Sequence, residues 1–392
     1  MKKNFALFVF ISVTIIASSQ SAKLDATIDA SLSLAVEQYA ILDHVLADSL
    51  FPRAVKDDKL VTNKSGWWTS GFFPGSLWYL YEYSKDPVMK ELAIRKCRAV
   101  EREKLNISDH DIGFKIYCPF GNALRITGDS SAIPIIITAA QSLSKRFDPR
   151  VGLIRSWGSI KDSNDYVVII DNMMNLELLF AATRLTGDSM YYKVAVSQAD
   201  NTIINHFRPD GSSYHVLDYD PATGAVKKKR TAQGFSDRSA WARGQSWGLY
   251  GYTVCYRETK DKRYLEHAKK IASFILQHPN LPANKIPYWD FDAPSIPNAP
   301  RDASAAAIMA SALIELSGYV NKKESKTFLQ TAAAIINNLS DTAYRTKMNE
   351  KHNFLLKHSV GHLPVDSEVD TPLSYADYYY IEAMMRWKKN KK

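Results

Sequence analysis

The segment NMMNLELLFAATRLTGD, residues 172–188, holds the pattern that decides the fold. Its apolar residues recur three and four positions apart, which is the spacing of an amphipathic helix. The segment ends in Leu185-Thr186-Gly187-Asp188, where the glycine can end one helix and the aspartate can cap the next. The sequence therefore predicts a helix followed by the turn of a helical hairpin.

Four more turns of this kind divide the rest of the chain. They are Tyr83-Ser84-Lys85-Asp86, Ile126-Thr127-Gly128-Asp129, Glu258-Thr259-Lys260-Asp261 and the looser Leu316-Ser317-Gly318-Tyr319. Helical spacing also runs through residues 28–46, 89–102 and 264–276, whereas strand-like alternation is scarce. With the opening helix, these turns predict about six helix pairs. Closure into an all-α (α/α)6 toroid is favoured over an open solenoid, because the spacing is uneven and the long connections carry aromatic and charged residues.

The first residues have the pattern of a secretory signal peptide. Met1-Lys2-Lys3 is basic, Phe5 to Ala17 is apolar, and small residues follow. The apolar stretch is short for a membrane span, and no cysteine follows it that could carry a lipid. We predict a signal peptide over residues 1–22, export to the periplasm and no stable membrane insertion. Residues 23–392 are predicted to form one domain, because no linker rich in proline, glycine or serine divides them.

The charge and the cysteines narrow the range of partners. The formal charge of +9 falls to +7 when Lys2 and Lys3 are removed with the signal peptide. A moderately basic exported protein suits acidic polysaccharide fragments, although the basic cluster 386–392 is interpreted as a solvated tail. Three widely spaced cysteines, an odd number, predict no disulfide framework. We expect no nucleic-acid partner and a monomer or a weak dimer.

Two isolated aspartates are candidates for acid–base chemistry. Asp111 lies beside Ile112 and Phe114, and Asp171 follows the apolar run 167–170. Burial disfavours the charged form of a carboxyl group, and a second carboxylate nearby raises one of the two pKa values further. One of them could then hold a proton near neutral pH, as a general acid must. The alternative for each is a helix cap satisfied by backbone amides.

A second set of candidates lies further along the chain. Arg243 and Trp247 are four residues apart, so on a helix they share a face. A guanidinium beside a flat ring fits the carboxylate and the face of an acidic sugar. The alternative is an arginine stacked on tryptophan for packing alone. His215, taken by itself, is typical of a packed or capping histidine.

Three motifs are set aside. Gly244-Gln245-Ser246-Trp247-Gly248 matches the elbow of serine hydrolases, but no β-branched run leads into it as that motif requires. His358 and His362 are four apart, as zinc ligands can be, but Gly361 and Pro364 argue against a helix that would align them. The basic run 227–230 follows a turn and is interpreted as an exposed loop.

Six blocks, in a single order across nearly the whole mature chain, resemble the unsaturated glucuronyl hydrolases, glycoside hydrolase family 88. They are Trp68-Thr69-Ser70-Gly71-Phe72, His110-Asp111-Ile112-Gly113-Phe114, Asp171-Asn172-Met173-Met174-Asn175, residues 215–247, Arg301-Asp302-Ala303-Ser304-Ala305 and Leu373-Ser374-Tyr375-Ala376-Asp377-Tyr378-Tyr379. The resemblance implies an (α/α)6 barrel that removes the 4,5-unsaturated uronic acid from the non-reducing end of disaccharides or short oligosaccharides made by a lyase. It implies neither a cofactor nor a metal.

The resemblance also implies roles for particular residues. By position, Asp171 resembles the general acid and base, and Asp111 resembles its partner. Arg243 is implied to pair with the sugar carboxylate. The full set of implied substrate-binding residues is His215, Gln233, Arg243, Trp247, Trp68, Trp157 and Tyr375. In such enzymes the acid protonates C4 of the C4=C5 enol ether and water adds at C5, after which the ring opens and the neighbouring sugar leaves.

The substrate is less closely determined. Some relatives have serines and a lysine near the C-terminus that receive a substrate sulfate, and the comparable turn here, 359–364, has Pro364 where a lysine would stand. Hyaluronan, chondroitin and heparin fragments therefore all stay open. The nearest alternative is an unsaturated rhamnogalacturonyl hydrolase acting on pectin fragments. A sugar epimerase, which would rely on paired histidines, and a non-catalytic glycan-binding protein are the alternatives from other classes.

Overall fold

The computed structural model describes the backbone of residues 3–390 and the side chains of residues 22–390. Residues 1–21 of the predicted signal peptide lie outside the described side chains, and the signal peptide stays a prediction. The described chain is mostly helical. Its α-helices are α1 (Lys3–His44), α2 (Phe72–Ser84), α3 (Pro87–Val100), α4 (Asn122–Thr127), α5 (Ala132–Ser144), α6 (Leu176–Thr186), α7 (Ser189–His206), α8 (Ala242–Thr259), α9 (Lys262–Gln277), α10 (Ala303–Ser317), α11 (Lys322–Leu339) and α12 (Ser374–Asn390).

The five predicted turns each join two consecutive helices, beginning with α2 and α3 and ending with α10 and α11. Four of them end the first helix with a residue in the left-handed conformation. These residues are Lys85, Gly128, Gly187 and Lys260. In the α6–α7 turn, Asp188 then accepts a hydrogen bond from the backbone N–H of Met190 and caps α7. The fifth turn differs, because Gly318 has a φ of −75° and Asn321 caps α11.

Alternate helices form two concentric rings. The inner ring contains α2, α4, α6, α8, α10 and α12, and a π-helical turn at Gly113–Gly121 leads into α4. The π-helical turn contacts both α2 and α6, and from α6 onward each inner helix contacts the next until α12 contacts α2, so the ring is closed. All of α10 except Glu315 is buried, whereas the outer helix α9 buries a single face at helical spacing. The predicted (α/α)6 fold is confirmed.

Short strands lie in the connections between the helices. They are β1 (Phe51–Lys56), β2 (Lys59–Asn63), β3 (Phe147–Asp148), β4 (Leu153–Ile154), β5 (Tyr166–Ile169), β6 (Val216–Tyr219) and β7 (Val226–Arg230). The last three form an antiparallel sheet in the order β5-β6-β7. The interpretation of residues 227–230 as a loop is wrong, because they lie in β7 and pair with β6. The basic pattern correctly indicated exposure, since Lys227 and Lys228 are exposed. Charge alone, however, carries no information about backbone pairing.

Within the described part of the chain, no helix is both long enough and apolar enough to cross a membrane.

Candidate active site

The beginnings of the inner helices meet at one end of the barrel, and the candidate residues lie there. Asp171 lies in a 3-10 turn, Ile170–Asn175, that leads into α6, and Arg243 lies in the first turn of α8. Asp302 caps α10, and Tyr375 lies in the first turn of α12. The first turn of a helix carries partial positive charge and free N–H groups. Several such ends directed at one space favour an anionic ligand.

The β5-β6-β7 sheet brings Asp171 beside His215. Ile169 pairs with Val216, and the backbone N–H of Ile170 donates to the carbonyl of His215 over 3.0 Å. Asp171 Oδ2 therefore lies 3.8 Å from His215 Nε2. Both atoms are buried, and neither has a hydrogen-bond partner in the described chain. Because buried polar atoms normally have partners, this pair is open to a ligand or water that completes it.

The protonation of His215 follows from its neighbours. Its Nδ1 accepts hydrogen bonds from the backbone N–H groups of Ala232 at 3.2 Å and Gln233 at 3.1 Å. The neutral ring must then carry its hydrogen on Nε2, the atom that faces Asp171. Burial, assisted by the charge of Arg243, holds the pKa of His215 well below its usual value. His215 is thus a neutral donor directed at the carboxyl group.

Asp171 has the electrostatics of a general acid. Burial raises the pKa of Asp171 to about 6, and the charge of Asp111 adds to this rise while His110 and Arg243 oppose it. The pKa of Asp111 is also raised, again mainly by burial. A carboxyl group with this pKa is partly protonated near neutral pH and can give its proton to a substrate.

His110 links the two aspartate segments, a role that the sequence analysis missed. Its Nδ1 donates to Asn172 Oδ1 at 2.5 Å, and its Nε2 lies 3.4 Å from Asp111 Oδ1. The amide of Asn172 is oriented by its own Nδ2, which donates to the carbonyl of Ile154 at 2.7 Å. The signal was available, because His110 adjoins Asp111 in the quoted block.

The two segments also approach closely at Gly113. A Cβ atom at this position would lie 2.6 Å from Asn175 Oδ1, which is too close for any side chain. Asn175 Oδ1 accepts from the backbone N–H of Phe114 at 3.3 Å, so the contact is a specific one. Glycine at 113 therefore lets the Asp111 segment rest on the Asp171 segment.

Arg243 is buried, and most of its nitrogen atoms already have hydrogen-bond partners. Its guanidinium donates to the carbonyl groups of Val360 and Gly361 and to Gln233 Oε1, and it lies 3.5 Å from Asp302 Oδ2. Among its nitrogens, the structure leaves only Nε buried without a partner in the described chain. Arg243 thus fixes residues 358–371, which we call the 358–371 hairpin because Ser359 pairs with Thr371 and His362 with Ser367. Its predicted pairing with a sugar carboxylate stays a prediction.

Trp247 shares α8 with Arg243, but its ring is not an open platform. It is fully buried, and ring contacts with Phe114 at 5.4 Å and Tyr379 at 5.4 Å hold it inside the barrel. The sequence showed which helix face Trp247 occupies but not the aromatic residues packed on it. Its Nε1, buried and without a partner in the described chain, is the group it offers to a ligand.

The other predicted substrate-binding residues surround the same space. Trp68 is half-buried and packs on Tyr375 with ring centroids 4.9 Å apart, and the hydroxyl of Tyr375 is a further buried atom without a partner in the described chain. Trp157 is half-buried, and its ring is edge-on to His215 at 6.2 Å. Gln233 joins His215 to Arg243 through its backbone N–H and its side chain. These placements bring the set together, while the individual roles stay predictions.

The motifs that were set aside have no catalytic geometry. Residues 244–248 lie inside α8, with no strand leading into them, so they form no nucleophile elbow. His358 pairs with Asp370, whereas His362 Nε2 lies 2.9 Å from the carbonyl of Ala232. Within the described residues, no group of three or more histidine, cysteine, aspartate or glutamate side chains could hold a metal ion.

A family model, a sequence relative and solved structures all match most of this chain. The family model Glycosyl Hydrolase Family 88 matches residues 49–389. An unsaturated glucuronyl hydrolase of Formosa agariphila is 45% identical over 349 residues, which are 88% of this chain and 86% of that protein. The crystal structure of an unsaturated glucuronyl hydrolase specific for heparin is 44% identical with a TM-score of 0.91, and the match covers 94% of this chain and 98% of that one.

A second similar structure carries a ligand. It is a mutant unsaturated glucuronyl hydrolase from Streptococcus agalactiae complexed with dGlcA-GalNAc6S, which is 29% identical with a TM-score of 0.80. The match covers 92% of this chain and 91% of that chain.

Proposed function

The chain belongs to glycoside hydrolase family 88, and from this premise we propose that it removes the 4,5-unsaturated uronic acid from the non-reducing end of glycosaminoglycan oligosaccharides made by a lyase. It is a glycosidase. Relatives named for this activity support the substrate class, as does the solved relative with bound dGlcA-GalNAc6S.

The observation that carries the proposal is the pair formed by Asp171 and His215. The carboxyl group has a pKa raised to about 6, and a neutral histidine N–H is directed at it from 3.8 Å. Neither buried atom has a partner in the described chain, so the pair is completed only by a ligand or water. This arrangement suits transfer of one proton in each direction by a single carboxyl group.

In the proposed reaction, the protonated Asp171 gives its hydrogen to C4 of the C4=C5 enol ether. Positive charge then develops at C5 and on the ring oxygen, and the Asp171 carboxylate removes a proton from the water that adds at C5. The resulting hemiketal opens the ring and releases the neighbouring sugar. The spacing rule for paired carboxylates does not apply, because the anomeric carbon is not the site of attack.

Recognition of the substrate carboxylate is proposed to use donors at the helix beginnings. Buried donors without partners in the described chain include Trp247 Nε1, Arg243 Nε and the hydroxyl of Tyr375. Ser374, at the beginning of α12, and Ser359, in the 358–371 hairpin, add two more hydroxyl groups without partners in the described chain. Donors aimed into a water-poor space bind an anion more strongly than they would in water.

The substrate preference can be tested by offering the purified protein a panel of unsaturated disaccharides from heparin, chondroitin, hyaluronan and pectin. Loss of the absorbance of the conjugated enol-ether acid measures the reaction directly. We expect loss with glycosaminoglycan disaccharides, and the similarity to a heparin-specific enzyme makes the heparin products the first to try. Loss with the pectin product alone would replace this proposal with the rhamnogalacturonyl hydrolase.

Export to the periplasm and a monomeric or weakly dimeric state are further proposals, and each can be tested separately. The N-terminal pattern predicts removal of residues 1–22 and release into the periplasm. Sequencing the N-terminus of protein from a periplasmic extract should find a start near residue 23. Light scattering of the same sample should give the mass of a monomer or of a concentration-dependent dimer.

A further inference from the structure

A cavity outside the active site has more cations than anions in its lining. It has a volume of about 430 Å³ and lies between the end of α5 and the connection that follows β4. Five cationic side chains line it, from Lys145, Arg146, Arg150, Arg155 and Lys161. Two aspartates also line it, so the lining carries a net positive charge.

The two aspartates offset only part of this charge. Asp148 is paired with Arg150 at 2.6 Å, and Arg150 is exposed. Asp162 accepts hydrogen bonds from the backbone of Asn164 at 2.8 Å and Asp165 at 3.4 Å, within its own turn. Both carboxylates therefore already have partners, and the lining keeps an excess of three positive charges.

Two arginines in the cavity wall are buried without a carboxylate in direct contact. Arg146 is 2% exposed and Arg155 is 4% exposed. The four hydrogen bonds of the Arg146 guanidinium all go to backbone carbonyl groups, those of residues 107, 155, 156 and 158. Among the described residues, neither guanidinium forms an ion pair, although Asp109 lies within electrostatic range of Arg146, and Asp148 and Asp162 lie within range of Arg155. Burial is costly for a cation that lacks a contacting anion, so an anion in the cavity would be stabilised.

Arg155 has donors to spare. Its Nη2 donates to the carbonyl of Asp162 at 2.7 Å, and its guanidinium stacks on the ring of Tyr166 at 4.5 Å. No hydrogen bond is formed by its Nε or Nη1 with any residue that the structure describes. A fixed guanidinium with a free pair of N–H groups has the geometry that binds two oxygens of one oxoanion.

The cavity is joined to the active site by a short piece of chain. Arg146 holds the carbonyl groups of Ser156 and Gly158, which flank Trp157. The ring of Trp157 lies edge-on to His215, so the segment forms a wall of the site on one side and borders the cavity with residues 160–163 on the other. An acidic oligosaccharide leaving the site past Trp157 would meet this positive surface.

We propose that this cavity binds an oxoanion, which is either a sulfate or carboxylate group on a more distant sugar of an acidic oligosaccharide or the free inorganic ion. The oligosaccharide source rests on the proposed function, whereas binding of the inorganic ion does not.

The first test is calorimetric titration of the whole protein with sodium sulfate, at an ionic strength held constant with sodium chloride. Wild type should bind sulfate, and Arg155→Gln and Lys161→Gln should each weaken binding about tenfold. Lys161 is exposed, so its variant keeps the test valid if the Arg155 variant does not fold. Lys228→Gln, which removes the same charge from the exposed face of β7, is the matched control and should bind as wild type does.

The second test separates the two sources. The KM of a sulfated unsaturated tetrasaccharide should rise about tenfold in the two cavity variants if the glycan supplies the anion, while the KM of an unsaturated disaccharide stays unchanged. Weaker sulfate binding with no change in either KM would assign the cavity to the free ion. Sulfate binding that is absent in wild type, or equal in wild type and all three variants, overturns the proposal. Because titration needs no turnover, its failure is distinct from a failure of the hydrolase assignment.

Discussion

The two ends of the barrel differ in how their polar groups are satisfied. At the far end, where the inner helices finish, a cavity of about 750 Å³ is lined by arginines and glutamates that pair with one another. Arg257 donates to three of these glutamates, and Arg386 pairs with Glu315 at 2.6 Å and Glu382 at 3.6 Å. At the near end, Asp171, His215 and Trp247 each have a buried atom without a partner in the described chain.

The difference separates stabilisation from chemistry. A buried polar atom without a partner costs stability, so several such atoms facing one another indicate a space that a ligand completes. Paired charges satisfy each other and hold neighbouring helices together without needing a ligand. The far cavity is spacious and highly charged, yet the smaller set of unpaired atoms near Asp171 is the better guide to the reaction.

The largest contrast should come from removing the proposed acid. Asp171→Asn keeps the shape of the side chain but has no proton to give, so kcat on an unsaturated disaccharide should fall about 1000-fold or more. Glu315→Gln, which changes a half-buried carboxyl group of the far end in the same way, should keep kcat within a few-fold of wild type. The absorbance assay measures both, and equal losses in the two variants would erase the contrast.

His215 offers a smaller but still large effect. His215→Ala removes the N–H that faces Asp171, and we expect kcat to fall about 100-fold, as for loss of one fixed donor. His267, a buried histidine of α9 outside the site, supplies the control His267→Ala. Steady-state kinetics measures kcat for both variants. Equal losses of kcat in the two would contradict the role of His215.

Substitutions at the far end should lower stability and leave the catalytic rate unchanged. Arg257→Met removes ion pairs to Glu177, Glu258 and Glu315 and leaves those carboxylates without this partner. We expect the free energy of unfolding to fall by about 2 kcal/mol, with kcat of the folded enzyme unchanged. Urea unfolding measures the first quantity and the absorbance assay the second. A large loss of kcat in the folded variant would show that the far end contributes to catalysis, which contradicts the proposed difference between the two ends.

The pH dependence of kcat/KM tests the protonation of Asp171. Because the pKa of Asp171 is raised to about 6, the protonated acid is lost as pH rises through that value, and kcat/KM should fall about tenfold per pH unit above it. A fall that begins above pH 8 would assign the proton to another group.

The same pKa governs a small effect on stability. Folding raises the pKa of Asp171 above its unfolded value, so below about pH 4 both states are protonated and the group has no effect on stability. Between about pH 4 and pH 6 the unfolded chain gives up this proton while the buried group keeps it, so the wild type loses stability relative to Asp171→Asn across that range. The variant should therefore gain on the order of 2 kcal/mol at pH 8 and nothing at pH 4, as urea unfolding can measure.

The helical framework was readable from the sequence because its signals are local. The turn at residues 185–188 contains a helix-ending glycine and a capping aspartate within four residues, and the structure uses both. The β5-β6-β7 sheet was not readable in the same way. Its strands are short and β5 pairs with a strand about fifty residues away, so periodicity within one segment gave no signal.

The site was readable only in part, for the same physical reason. Asp171 and Asp111 were marked by their apolar neighbours, and the spacing of Arg243 and Trp247 on one helix face was correct. The occupation of Arg243 depends on the 358–371 hairpin, more than a hundred residues further along the chain. Packing between such distant segments has no local pattern, so the sequence could nominate the residues but not their contacts.

In the proposed reaction, a buried acid protonates the alkene of the sugar, and the anomeric carbon is not attacked. Proton NMR of an unsaturated disaccharide in water, during the first turnovers of the wild-type enzyme, tests this. The vinylic hydrogen on C4 should disappear at the same rate at which the neighbouring sugar is released. Release of that sugar while the vinylic signal persists in the freed uronic acid would contradict protonation of the alkene.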